Sequence, residues 1–114
     1  MRTAPLRRDA QVLGQVRIAD GPLGRALGLV GRKASTLDQA LLLVPCAAIH
    51  TFGMRFAIDV VFLDREGVIV AARAHVAPWR WARGKGAYAT LEWAAGAIGR
   101  YGFEVGQRLQ WGGS

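Results

Sequence analysis

The run Ile58–Leu63 constrains this 114-residue chain more than any other stretch. Four of its six residues, Ile-Asp-Val-Val-Phe-Leu, are β-branched or aromatic, the side chains that suit a pleated strand. Asp64-Arg65-Glu66-Gly67 follows, a hairpin turn in which Gly67 is suited to a positive φ. Val68–Val76 then returns as a second strand. A hairpin this apolar must bury its faces against other elements, so the rest of the chain has to supply them.

The remaining segments read mostly as strands. Gln11–Ala19 places Val12, Val16 and Ile18 in rough alternation, interrupted at Gly14. Ala40–Val44 is a continuous apolar run ending at Pro45 and reads as a buried strand. Tyr88–Trp93 is a further strand, and Gln107–Trp111 a last one after the turn Phe103-Glu104-Val105-Gly106. Two short helices are expected. One starts near Pro22, carries Leu23, Ala26, Leu27 and Val30 on one face, and ends at Gly31; the other spans Ala94–Tyr101 and ends at Gly102. Arg32–Gln39 and Ala77–Ala87 read as loops. Strands outnumber helices, so the expected fold is mainly β: a single compact β-sandwich or partly open barrel. Residues 1–10, polar and holding Pro5, are expected to form a flexible N-terminal arm on a single domain spanning 11–114.

Composition narrows the setting. Apolar residues make up 52% of the chain, enough for a packed core. A lone Cys46 cannot form an internal disulfide, which suits a reducing compartment. The N-terminus has no apolar signal segment, and the longest apolar run, Ala40–Ile49, is too short to span a bilayer. A cytoplasmic protein is expected. The net charge is +7, from 15 basic and 8 acidic residues. The basic residues are mostly Arg and are spread along the chain rather than blocked together, so nucleic acid is not the expected partner.

The chemistry-bearing residues gather between Cys46 and Asp64. Cys46, His50 and Met54 are soft donors, but an extended chain separates His50 from Met54 by ~13 Å, too far for one ion unless Gly53 bends it. No second His or Cys pair completes a zinc spacing, and no cofactor is expected. Cys46 and His50 could form a nucleophile and base oriented by Asp59, the alternative reading of a small hydrolase or metal-assisted enzyme. His50, Thr51, Arg55 and Asp59 could instead surround a small polar ligand, against an apolar wall from Phe52, Met54 and Phe56. A purely structural role competes with each reading: Asp59 could accept backbone N–H bonds, Arg55 could pair with Asp59 to hold a bend, and Met54 could fill the core. Further on, Trp79-Arg80-Trp81 alternates rings with cations, and alternation would put both tryptophans on one side.

The segment Ile49-His50-Thr51-Phe52-Gly53-Met54-Arg55-Phe56, continued by Ile58-Asp59-Val60 and Phe62-Leu63-Asp64, resembles the signature of the DUF192 family of small bacterial and archaeal proteins. Weaker likenesses cover Arg25–Arg32, Leu91–Gly96 and Gly102–Leu109, so the resemblance runs over about residues 12–111. Ala57, Trp93-Ala94 and Gln107 depart from the usual pattern. The resemblance implies a mostly β, jelly-roll-like fold and no activity. A non-enzymatic module for a small polar ligand or a protein partner is expected, acting as a monomer or homodimer. Its site would comprise His50, Thr51, Met54, Arg55 and Asp59, flanked by Trp79 and Arg80.

Overall fold

The computed structural model describes residues 2–20 and 40–112. The helix expected near Pro22 and the loop expected at 32–39 lie outside the described residues. In chain order the elements are β1 (Arg2–Arg8), β2 (Gln11–Asp20), β3 (Ala40–Val44), β4 (Ala48–His50), β5 (Ile58–Leu63), β6 (Ile69–Val76), β7 (Trp81–Arg83), β8 (Ala89–Ala94), α1 (Ala97–Tyr101) and β9 (Gln110–Trp111). Seven strands form one sheet in the order β6-β5-β8-β3-β2-β1-β9, and β4 and β7 form a separate two-stranded ribbon. The fold is mainly β, a curled, half-barrel sheet with a small second sheet and a short helix. Among the described residues no helix is long and apolar enough to cross a membrane.

The expected arm is instead strand β1, antiparallel to β2 over its whole length. Ala4 and Leu6 alternate inward, and Pro5 keeps its place between them on the opposite side. Pairing slips between Leu6 and Arg7, so that Leu13 is bulged out of register next to Gly14, which takes φ +144°. Leu13 and Val16 are an odd number of residues apart and would face opposite sides of a regular strand. The bulge puts Leu13 on the same face as Val16 and Ile18, and all three join one core. The interruption visible at Gly14 is therefore a register device.

The central strands are buried on both faces, which explains their unbroken apolar runs. On one face, Leu42, Val61, Leu63, Leu91 and Trp93 pack with Leu6, Ile18 and Leu109, closed by Ala97 of α1 and Phe103. On the other, Leu41, Leu43, Ile58, Val60, Phe62 and Ala71 pack under the ribbon, which contributes Ile49, Ala82 and the adjoining Met54. Gly84 lets the ribbon approach: a Cβ there would overlap the Phe62 side chain.

The two edge strands of the large sheet meet through their approach segments. Val68 bridges Arg108, Ile69 N–H donates to Gln107 C=O at 2.8 Å, and Leu109 N–H donates to Gly67 C=O at 2.9 Å. Gly67 is required twice over, by its φ of +85° and because a Cβ would run into the Leu109 carbonyl. The last strand pairs only at Gln110–Trp111, shorter than the expected Gln107–Trp111, because Gln107–Leu109 are engaged in this closure. The helix is also shorter than expected. Ala94 stays in β8 opposite Ile58, and the turn at Gly96 (φ +105°) delays α1 to Ala97.

A candidate interaction surface on the small ribbon

Ala77–Ala87, expected to be a loop, contains β7. The residues Trp81, Ala82 and Arg83 are exposed, buried and exposed in turn, the period of a strand lying on a core. They pair antiparallel with β4, Trp81 opposite His50 and Arg83 opposite Ala48. The outer face of the ribbon thus presents His50, Trp81, Arg83 and Ala48.

Four rings gather at the His50–Trp81 end. The Phe52 ring lies 4.9 Å from that of His50, 5.8 Å from Trp79 in a stacked arrangement, and 5.3 Å from Trp81 edge-on. His50 and Trp81 meet edge-on at 5.5 Å. Phe52, expected only as part of an apolar wall beside the polar site, is the hub. Its clue was Gly53, whose φ of +82° turns the chain directly after the ring. Trp79 and Trp81 face one side, as alternation suggests, and they are 63% and 69% exposed while Phe52 is 42% exposed. Val12 and Val105 are exposed singly, whereas these rings form a contiguous patch.

Thr51 holds the cluster from beneath. Fully buried, its hydroxyl donates to Ala77 C=O at 2.7 Å and accepts Arg80 N–H at 2.9 Å. Its backbone N–H donates to Arg80 C=O at 2.9 Å, and its carbonyl accepts Trp79 N–H at 3.0 Å and Met54 N–H at 3.2 Å. These bonds tie the Phe52 turn to the Trp79 loop and fix Trp79 at φ +63°, a left-handed conformation that costs a bulky residue roughly 1–2 kcal/mol. His50 Nδ1 accepts the Phe52 N–H at 3.2 Å, which puts any proton of the neutral ring on Nε2.

The other expected site residues divide sharply. Asp59 is 1% exposed and lies on the opposite face of the large sheet. Its Oδ1 accepts His75 N–H at 2.8 Å, and its Oδ2 accepts Gly96 N–H at 3.1 Å and Ile98 N–H at 2.8 Å. A carboxylate so committed anchors α1 and the end of β6, and has no lone pair turned toward a ligand at the ribbon. The expected Arg55–Asp59 partnership is therefore replaced: Arg55 is exposed, and Asp59 takes backbone donors only. Met54 is buried in the core under the ribbon, a filler rather than a contact surface. Arg80 is exposed, with its guanidinium donating to Trp79 C=O at 3.3 Å. The small-ligand site drawn from His50, Thr51, Met54, Arg55 and Asp59 is thus not a single cleft. Three cavities of about 330, 480 and 390 Å³ lie elsewhere, lined by residues such as Arg7 and Trp111, Arg100 and Tyr101, and Asp64 and Tyr88.

The alternative catalytic set loses its orienting residue, since Asp59 faces away from the ribbon that carries His50. Cys46 Sγ donates to Ala48 C=O at 3.1 Å, His50 Nδ1 is occupied by Phe52 N–H, and Asp59 serves the other face. Among the described residues no three His, Cys, Asp or Glu side chains gather as they would around a metal ion.

Comparison with known proteins places the chain. The DUF192 profile, described as "Uncharacterized ACR, COG1430", matches residues 4–111. A UPF0127 protein of Pyrococcus furiosus is 35% identical over 101 residues, covering 85% of this chain and 86% of the relative. Another from Pyrococcus abyssi is 33% identical over 104 residues, 86% of each chain. Among solved structures, a Sinorhizobium meliloti protein provisionally described as a transcription regulator superposes with a TM-score of 0.81 at 20% identity, over 96% of this chain and 94% of the other. A protein of unknown function from Novosphingobium aromaticivorans gives 0.72 at 19% identity, over 94% and 84%. These two likenesses concern the fold. The match across nearly the whole chain, with relatives above 30% identity, means that the chain belongs to the DUF192 family.

Proposed function

We propose that this protein is a non-enzymatic interaction module whose docking surface is the aromatic face of the β4–β7 ribbon. One observation carries the reading: Phe52, Trp79 and Trp81 are held together in solvent by a buried threonine, with one of them in a costly backbone conformation. Large rings in contact with water add apolar patch area, and aromatic residues of this kind dominate the energetics of docking sites. The patch is a face rather than a cleft, which favours a macromolecular partner over an enclosed small ligand. In this reading Thr51 and Met54 position the surface, Asp59 stabilises the opposite side of the sheet, and His50, Arg55 and Arg80 contribute from the rim.

The test is site-specific photo-crosslinking. A photoreactive benzophenone residue replaces Ala48, exposed on the ribbon, and in a parallel protein Val105, exposed on the 103–106 turn. The expected result is a discrete adduct in cells from position 48, absent from position 105 and lost when Trp81→Ala is added. Equal adducts from both positions would refute a docking role for the ribbon.

A further inference from the structure

We infer that the partner of the aromatic ribbon is single-stranded nucleic acid, with unpaired bases stacking on the exposed rings and phosphates meeting the adjacent arginines. The inference rests on the docking reading above and names its partner.

Charge is the first support. Residues 44–58 and 70–83, which build the ribbon and its flanks, contain Arg55, Arg73, Arg80 and Arg83 and no Asp or Glu. Arg55, Arg80 and Arg83 are exposed on the ribbon and its turns. Arg73 lies on β6 opposite Val60, on the face of the large sheet that the ribbon covers. Among the described acidic residues, Asp64 and Glu66 occupy the turn at the far end of β5, Asp9 the β1–β2 turn and Glu104 the turn before β9, all outside the ribbon. Asp20 ends β2 beside Val44. Asp59 is buried on the opposite face of the large sheet and Glu92 is buried opposite Val60 beneath the ribbon, so neither of these two carboxylates is on the ribbon's outer face. The basic residues look dispersed in sequence, and the expectation that nucleic acid is not the partner rested on that dispersion. Folding sets Arg80 and Arg83 beside the rings, and Arg73 on the sheet face that the ribbon covers.

The second support is the order of groups along the strand. Trp81 and Arg83 share the outer face of β7 about 6.6 Å apart, and Arg80 separates Trp81 from Trp79. A single strand of nucleic acid offers the complementary alternation of flat base and anionic phosphate. Stacking on rings combined with a cationic track is how sequence-tolerant single-strand binders work. An acidic peptide would satisfy the arginines but has no flat faces for the rings. A bilayer would take apolar side chains from a protruding tip, whereas Trp81 and His50 lie across the ribbon from one another within paired strands.

The experiment uses the full chain and fluorescence anisotropy with labelled 12-mers of dT and of U, against poly-glutamate of equal length and vesicles containing phosphatidylserine. Binding to one or both oligonucleotides is expected, and the better of the two tells DNA from RNA. With two to four phosphates neutralised, the slope of log K against log salt should be about −1.4 to −2.8. Trp81→Ala should weaken oligonucleotide binding roughly tenfold or more, and Trp81→Phe should retain most of it. Arg83→Gln should reduce the salt slope by about 0.7, which separates loss of a phosphate contact from misfolding. The inference is overturned by no oligonucleotide binding at low salt, by equal binding of poly-glutamate, by preferential binding of vesicles, or by indifference to Trp81→Ala. If oligonucleotides fail while the position-48 crosslink persists, the docking surface stands and its partner is not nucleic acid.

Discussion

Replacing Asp59 by Asn tests the division of the central segment into scaffold and surface. The side chain keeps its size, but one acceptor oxygen becomes an N–H₂ donor. In the native protein Oδ1 serves His75 N–H and Oδ2 serves Gly96 and Ile98 N–H. The less costly orientation of the asparagine keeps its oxygen on the helix side and sets its amide against the His75 N–H. One charge-assisted bond, worth about 1.5–3 kcal/mol, is lost outright, and the other two weaken as the acceptor loses its charge. With the site 1% exposed, water offers little replacement. The expected cost is about 2–4 kcal/mol, which for a domain of this size lowers the midpoint of thermal unfolding by roughly 8–15 °C. Thermal and urea unfolding give the magnitude, and hydrogen exchange gives the location: the amides of His75, Gly96 and Ile98 should lose protection first. Below its unfolding midpoint the variant should keep the ribbon's binding activity. A midpoint within about 2 °C of the parent would refute the anchoring role. Normal stability with lost binding would return Asp59 to the site.

Other perturbations probe the remaining contacts. Thr51→Val removes the hydroxyl that joins Ala77 and Arg80; it should cost about 1–3 kcal/mol and make Trp79 more accessible to a collisional fluorescence quencher, with unchanged quenching as the contrary result. Gly84→Ala forces a methyl into Phe62 and should destabilise by about 1–3 kcal/mol, measured by urea unfolding. Trp79→Gly relieves the positive φ and should leave thermal stability unchanged or raised while weakening partner binding; a large loss of stability would show that the ring serves the fold. Cys46→Ala should retain the crosslink from position 48, whereas loss of adduct without unfolding would implicate the thiol in the docking surface.

The fold was largely legible because its strands are buried on both faces or alternate cleanly. Ile58–Leu63 and Ala40–Val44 coincide with the strands expected from their apolar runs. Three strands were hidden by composition or length. Arg2–Arg8 holds four polar or charged residues and a proline, and only its inward Ala4 and Leu6 record its place. Trp81–Arg83 is three residues long, too short for a periodic signal, and its partner is the equally short Ala48–His50. The residue types of the candidate site were visible, but their directions were not. Asp59 and Val60 are chain neighbours that enter opposite faces of the sheet, so a cluster in sequence became two separate structures. Phe52 could be recognised as a hub only once β7 was seen beside β4.

The fold does not require the exposed rings. Ile49, Ala82 and Met54 already seat the ribbon on Phe62 and the central strands, with Gly84 permitting the close approach. None of those contacts involves the outer faces of Phe52, Trp79 or Trp81. Smaller polar side chains at these positions would keep the ribbon seated and would remove apolar surface from water. The left-handed backbone at Trp79 would also be easier for glycine or asparagine than for an indole. Thr51, by contrast, is committed through hydroxyl, amide and carbonyl to holding that loop in place. A buried polar residue that fixes exposed rings in an unfavourable conformation is poorly explained by stability and well explained by a partner that meets those rings. Such a partner would have to cover most of the area that Trp79 and Trp81 now expose, since one engaging only the rim arginines would leave the rings as unexplained as they are in the free protein.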